Sequence, residues 1–333
     1  MNQQNTASQQ GRMQIPQWKV WAHLIRLPNV FTIIADITAA YLFTASAIDP
    51  IGRFTLILSS GICLYWAGMI LNDVFDVEID TQQRAKRPIP AGWVSKRDAS
   101  RVGWGLLLFG VVFAFLSGFL PSEDLSPTIL PGIVSILLAL MIVAYNGPLK
   151  AGIFAPLAMG SCRFLSFLLG ASPCLALAVT DSKRLGGLIP SETVAIAIGF
   201  GIYIMGVTTM ARKEAVGGSR QQLIIGSLIT TLGAFCLAVA PRATQGIPSP
   251  KIDTENVFPV LIGMIVLPVL LRAIRAIQDP IPQRIQITIK AGVLTIIPLS
   301  AAFTTLGAGP IWGGIVFALV LPSLWLSARF RVT

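Results

Sequence analysis

Ten apolar runs, each about twenty residues long, dominate the chain, and few folds can accommodate that. They lie near 29–48, 54–72, 102–120, 128–146, 153–178, 192–210, 221–240, 257–277, 287–306 and 311–328. A helix needs roughly 17–25 mostly apolar residues to cross the hydrocarbon of a bilayer. In lipid every backbone amide and carbonyl must pair within the protein, which leaves helices or closed barrels. These runs are continuous rather than alternating, so they read as helices. Only 12% of residues are charged and 54% are hydrophobic, against about 25% charged in an average soluble chain. Mean hydropathy is +0.73. The expected fold class is all-α, a polytopic membrane protein of nine or ten transmembrane helices around a central cavity. Residues 1–17, polar and Gln-rich, read as a disordered tail, and 18–333 as one transmembrane domain. No apolar signal core precedes the first run, so the first span is expected to be retained.

A net charge of +10 raises nucleic acid as a partner, but the distribution of the charge points to membrane topology instead. With the N-terminus in the cytoplasm, 19 Lys and Arg residues fall on the inner side and 5 on the outer, leaving Arg163 inside a run. That asymmetry sets the orientation by the positive-inside rule, and the expected location is a bacterial inner (plasma) membrane. Outer loops such as "LPSEDLSPT" are short and rich in Pro or acidic residues. The four cysteines (Cys63, Cys162, Cys174, Cys236) all sit in apolar runs without metal-ligand spacing, and there is one histidine, His23. They read as small core residues, and zinc, haem and iron–sulfur sites are disfavoured.

Against this background "LNDVFDVEIDTQQRAKRPIPAG", Leu71 to Gly92, concentrates charge: Asp73, Asp76, Glu78 and Asp80, followed by Arg84, Lys86 and Arg87. If the second span continues beyond the bilayer, Asn72, Asp76 and Asp80 line one helical face, Asp73 stands one step around it and Glu78 points away. Carboxylates so crowded repel one another unless a cation sits between them. Mg²⁺ prefers oxygen ligands and commonly joins one or two carboxylates to substrate phosphates. Arg84, Lys86 and Arg87 can meet phosphate oxygens directly. The bland alternative, a solvated helix end of mixed charge, has about even odds on charge content alone.

The full string tips that balance. Asn72-Asp73-x-x-Asp76-x-x-x-Asp80, then Arg87-Pro88-Ile89-Pro90-Ala91-Gly92, resembles the signature of the UbiA superfamily of intramembrane prenyltransferases. "RLPNVFTIIADITAAYLF" resembles the family's opening, with Asn29 and Asp36 expected to face inward. "YNGPLK", Tyr145 to Lys150, is similar to its Tyr-x-x-Pro-Leu-Lys, and "MGSCRFLSFLLG" to a Gly-x-x-Arg stretch carrying Arg163. The "RLPN", "MG-CR" and "ARKEA" elements resemble the EboC-like branch. The resemblance implies an isoprenyl diphosphate donor, Mg²⁺ held by Asp73, Asp76 and Asp80, and a small hydrophobic, often aromatic acceptor. It makes Lys150 and Arg163 catalytic candidates. Asn29, Asp36, Asn72, Arg84, Lys86, Arg87, Tyr145 and Lys213 become substrate-binding candidates.

The chain also departs from the pattern. The family's second Asp-x-x-x-Asp belongs within 206–222, where Ala211 and Ala215 take the expected positions and Glu214 is the loop's only carboxylate. Lys213 or Arg212 is then a candidate substitute, as a point charge on diphosphate. Ten runs also exceed the family's usual nine. Two rivals follow: a diverged, non-catalytic binder of a prenyl lipid or diphosphate, and a transporter. The second is disfavoured because the polar cluster lies at one face, whereas transporters bind near the midplane. A charge placed as Arg163 is costs about 2.5–3.5 kcal/mol on insertion scales. It should face a polar cavity or pair with Asp36.

Overall fold

Helices account for nearly every apolar run, because no other open element pairs its own backbone in lipid. The computed structural model describes residues 16–123, 125–150, 154–175, 184–185, 189–212, 219–243 and 252–330. Of the tail expected over 1–17, residues 1–15 lie outside the described residues, and Gln17 already opens the first helix, α1 (Gln17–Leu24). Next come α2 (Val30–Ala45), α3 (Ile51–Phe75), α4 (Val77–Gln83), α5 (Lys96–Phe119), α6 (Leu130–Asn146) and α7 (Ala155–Ala171). Then follow α8 (Ser191–Ala211), α9 (Arg220–Ala243), α10 (Val257–Gln278), α11 (Pro282–Leu294), α12 (Ile296–Ala308), α13 (Pro310–Ala318) and α14 (Val320–Arg329). One two-residue pairing, Arg184–Leu185 with Ile189–Pro190, interrupts the helical order. Among the described residues nine helical stretches are long and apolar enough to cross a membrane, and α6, at 17 residues, is a shorter tenth. In two of the stretches α11 runs into α12 and α13 into α14. The chain is a multi-pass membrane protein.

Position in the bundle sorts the helices. On α5, α9, α10 and α13, Leu108, Leu228, Met264 and Ile311 are each more than half exposed, as side chains facing lipid should be. α2 is enclosed: it packs on α3, α7 and α12, and Ala35, Asp36, Ile37, Ala39 and Tyr41 have no exposed surface. Close approach of α7 makes that possible. A Cβ on Gly170 would stand 2.7 Å from the Ile37 carbonyl oxygen, so any other residue there would push α7 off α2.

At the end of the bundle opposite the acid-rich segment, one residue behaves unlike its expectation. Arg53, counted among loop cations, is fully buried in the first turn of α3. Its Nε donates to the Leu120 carbonyl at 2.9 Å, and Nη1 to Pro173 (2.9 Å) and Ser126 (3.3 Å). Nη2 donates to Leu125 (3.0 Å) and Ser126 (3.3 Å). All five guanidinium donors are spent on carbonyls following α5 and α7, stapling those two connections to the start of α3.

Candidate active site

The acid-rich segment begins as the end of α3. The helix pauses at Asp76, yet its ladder runs on: Asp76 N–H donates to the Asn72 carbonyl (3.1 Å) and Asp80 N–H to the Asp76 carbonyl (2.8 Å). At about 100° per residue, positions seven apart differ by roughly 20° and positions eight apart by roughly 80°. Asp80 therefore groups with Asp73, not with Asn72 and Asp76 as the single-stripe reading had it. Two adjacent carboxylate faces result, each with its own cation. Arg87 Nη1 lies 3.2 Å from Asp73 Oδ1 and 2.6 Å from Asp80 Oδ2. Lys150 Nζ donates to Asn72 Oδ1 at 2.7 Å and pairs with Asp76. The Asn72 amide links the faces, 3.5 Å from Asp73 and 3.4 Å from Asp76. Asp73 and Asp80 are only 7% and 3% exposed, so this is no solvated helix end.

Local sequence explains why these cations arrive. After α4 the chain folds into consecutive turns, Arg87 N–H to the Arg84 carbonyl (2.9 Å) and Ala91 N–H to the Arg87 carbonyl (2.8 Å). Gly92 closes them with φ +73°, a conformation L-residues with a Cβ rarely adopt. Ile89 and Val94 then bury against Val20, Leu24, Ile70, Val74 and Ala99. This small apolar cluster clamps the Arg-Pro-Ile-Pro turn onto α1 and α3 and holds Arg87 over the acids. Lys150 is placed by the end of α6, where the Asn146 amide donates to the Gly68 carbonyl at 3.1 Å.

Below the charged cluster lies a cavity of about 130 Å³, open at its mouth. Ile33 of α2, Gly61, Leu64, Tyr65 and Gly68 of α3, Leu138, Ile142 and Tyr145 of α6, Met159, Cys162, Arg163 and Ser166 of α7, and Ile204 of α8 line it. The wall is mostly apolar. Among the described residues Arg163 is its one charged lining residue; its Nη1 donates to Asp36 Oδ2 at 3.0 Å, and Ser166 Oγ donates to the same oxygen at 2.8 Å.

The structure gathers Asn72, Asp73, Asp76, Asp80, Arg87 and Lys150 into one cluster and Asp36, Arg163 and Tyr145 in or behind the cavity wall. It does not gather the rest. Asn29, expected to face inward, is exposed in a 3-10 turn (Leu27–Asn29) that rotates it outward. Arg84 and Lys86 are exposed, because α4 ends at Arg84 before the chain turns back. Lys213, like Glu214 and Ala215, lies outside the described residues; Arg212 is exposed at the end of α8, beside Ala211. Sequence reasoning missed Arg26, whose guanidinium is 4.0 Å from Asp73 Oδ1 and whose backbone is left-handed (φ 47°). A cation immediately before an apolar run was the available signal. It also missed Ser166.

A divalent ion fits this donor set in chemistry though not in present spacing. Among the described residues no three acidic or metal-binding side chains converge closely enough to hold one. Instead Arg87 sits between Asp73 and Asp80, and Lys150 against Asp76, as built-in cations. The ligands on offer are hard oxygens, with phosphate oxygens to complete a shell, which suits Mg²⁺.

Comparison with known proteins places the chain in a family. Residues 33–172 match the UbiA prenyltransferase family. A digeranylgeranylglyceryl phosphate synthase from Metallosphaera sedula is 33% identical over 150 residues, covering 44% of this chain and about half (49%) of that protein's length. The protein of the same name from Methanothermobacter thermautotrophicus is 30% identical over 259 residues, 73% of this chain and 82% of the relative. A solved structure of digeranylgeranylglyceryl phosphate synthase superposes with TM-score 0.61 at 17% identity, over 89% of this chain and 99% of that one. A UbiA homologue from Archaeoglobus fulgidus, bound to DMAPP and Mg²⁺, superposes with TM-score 0.56 at 14% identity, over 90% and 99%. Match, relatives and shared helical architecture agree, and the chain belongs to the UbiA prenyltransferase family.

Proposed function

We propose that the chain is a prenyltransferase, an enzyme moving an isoprenyl group from an isoprenyl diphosphate to a small hydrophobic acceptor. One observation carries the reading: three carboxylates and two cations, largely withdrawn from solvent, stand at the mouth of an apolar cavity reaching into the bundle. A molecule with a diphosphate head and a hydrocarbon tail is complementary to that combination. Magnesium held by Asp73, Asp76 and Asp80 would supply positive charge against the diphosphate. Arg87 and Lys150 donate N–H groups to phosphate oxygens, a charge-assisted contact that strengthens as the C–O bond breaks and charge moves onto the leaving group. The tail lies along Leu64, Leu138 and Ile142, and Tyr65 and Tyr145 present ring faces to the allylic carbon. The apolar wall keeps out water that would quench the allylic cation before the acceptor attacks. Archaeal relatives named as synthases and a homologue solved with DMAPP and Mg²⁺ support this reading. In our reading the cluster faces the cytoplasm of a bacterial inner membrane and the chain sits in the EboC-like branch.

A second reading rests on Ala211: the end of α8 lacks a carboxylate where the family's second motif begins, so the chain binds its lipid without turnover. Purified protein incubated with labelled geranylgeranyl diphosphate and Mg²⁺ decides between them. Diphosphate release that Asp76→Ala abolishes supports the enzyme. Binding without release supports the second reading and sinks the first.

A further inference from the structure

The Asp36–Arg163–Ser166 group does not contact the carboxylate cluster, and the donor site does not account for it. Arg163 stands eight residues into α7, roughly 12 Å along it, on the wall of an otherwise uncharged cavity. Among the described residues only Asp36 partners Arg163, through Nη1; the rest of the side chain, 11% exposed, lines the cavity. Asp36 is fully buried. Its Oδ2 takes both Arg163 and Ser166, while Oδ1 is buried with no hydrogen-bond partner at all. A buried carboxylate oxygen left unpaired is unfavourable, and a pair kept only for stability would not leave guanidinium donors open toward an apolar space.

We infer that this group is a binding site for a neutral hydroxyl on an amphiphilic ligand, the acceptor in the reading proposed above on which this inference rests. The argument is one of charge. Asp36 neutralises Arg163, so the site as a whole carries none. A ligand carboxylate or phosphate entering it would add an uncompensated charge far from water, which is strongly disfavoured. A hydroxyl brings none, and its oxygen accepts from the Arg163 donors on the cavity wall. Asp36 thus determines specificity by setting the charge of the pocket, and Ser166 positions it.

The test uses full-length protein in phosphatidylcholine nanodiscs at pH 9, with labelled 1-dodecanol and dodecanoate as probes of equal chain length and empty discs as baseline. The wild type should bind dodecanol saturably and at least about tenfold tighter than dodecanoate. Asp36→Asn leaves Arg163 as an unbalanced cation and should reverse the order. Should that variant not purify folded, the double variant Asp36→Asn with Arg163→Gln, an amide pair without charge, should remove the discrimination. Equal or tighter binding of dodecanoate by the wild type overturns the inference. So does saturable binding of neither probe, or discrimination surviving in the double variant. Neither probe carries diphosphate and no metal is added, so failure here and failure of diphosphate release are separate results.

Discussion

Arg53 and Arg163 are both arginines drawn into the bundle, and they differ in what their donors do. Arg53 spends all five on backbone carbonyls of loops that follow other helices, with nothing left to offer a ligand. Arg163 spends one on Asp36 and turns the rest toward a cavity. At the opposite end Arg87 and Lys150 are likewise held by carboxylates, Arg87 by Asp73 and Asp80 and Lys150 by Asp76. A buried cation is therefore no marker of function by its burial. Donors left over, facing a space a ligand can fill, mark it.

Substitutions can break that comparison, beginning with the largest effect. Asp73→Ala should cut diphosphate release from geranylgeranyl diphosphate by about 10²–10³-fold, as loss of one transition-state contact does elsewhere, with the melting temperature in detergent nearly unchanged. Arg53→Met should do the converse. It removes the donor from four carbonyls, of which the buried Pro173 carbonyl is worth about 1–3 kcal/mol, so the protein should melt below the wild type while turnover per folded molecule holds. If Arg53→Met instead spared stability and lost turnover, the division between the two arginines would fail. Ile89→Ala should cost about 2 kcal/mol by opening the small cluster under the Arg-Pro-Ile-Pro turn. It should also raise KM for the diphosphate as Arg87 loosens, in steady-state assays. Arg84→Gln, exposed and away from the carboxylates, should shift stability by less than about 0.5 kcal/mol and leave kcat/KM within twofold; a large loss would return Arg84 to the site.

Much of the membrane architecture was legible in the chain, and for a simple reason. A span is a local property: about twenty consecutive apolar residues commit to a helix in lipid whatever surrounds them. Each of the ten runs accordingly falls on an apolar helix. The Asn-Asp-x-x-Asp-x-x-x-Asp string was legible through its resemblance to a family signature, whereas helical spacing taken alone misgrouped Asp80. Asn29 failed because a single left-handed residue, Arg26, redirects the chain just before α2 and rotates the next turn. No periodicity announces such a residue.

The sequence by itself therefore determined the solvent of this protein, its helices and the chemical character of one end. Those follow from composition and from interactions within a few residues. Tertiary structure decided which charges meet. Asp36 finds Arg163 across 127 positions and Lys150 finds Asp76 across 74. Such pairings depend on the crossing of α2 with α7 and of α3 with α6, which small residues such as Gly170 permit by letting helix axes approach. Whether a cation becomes a staple or a site depends on which side of a helix the cavity opens, and that is a property of the packed bundle alone.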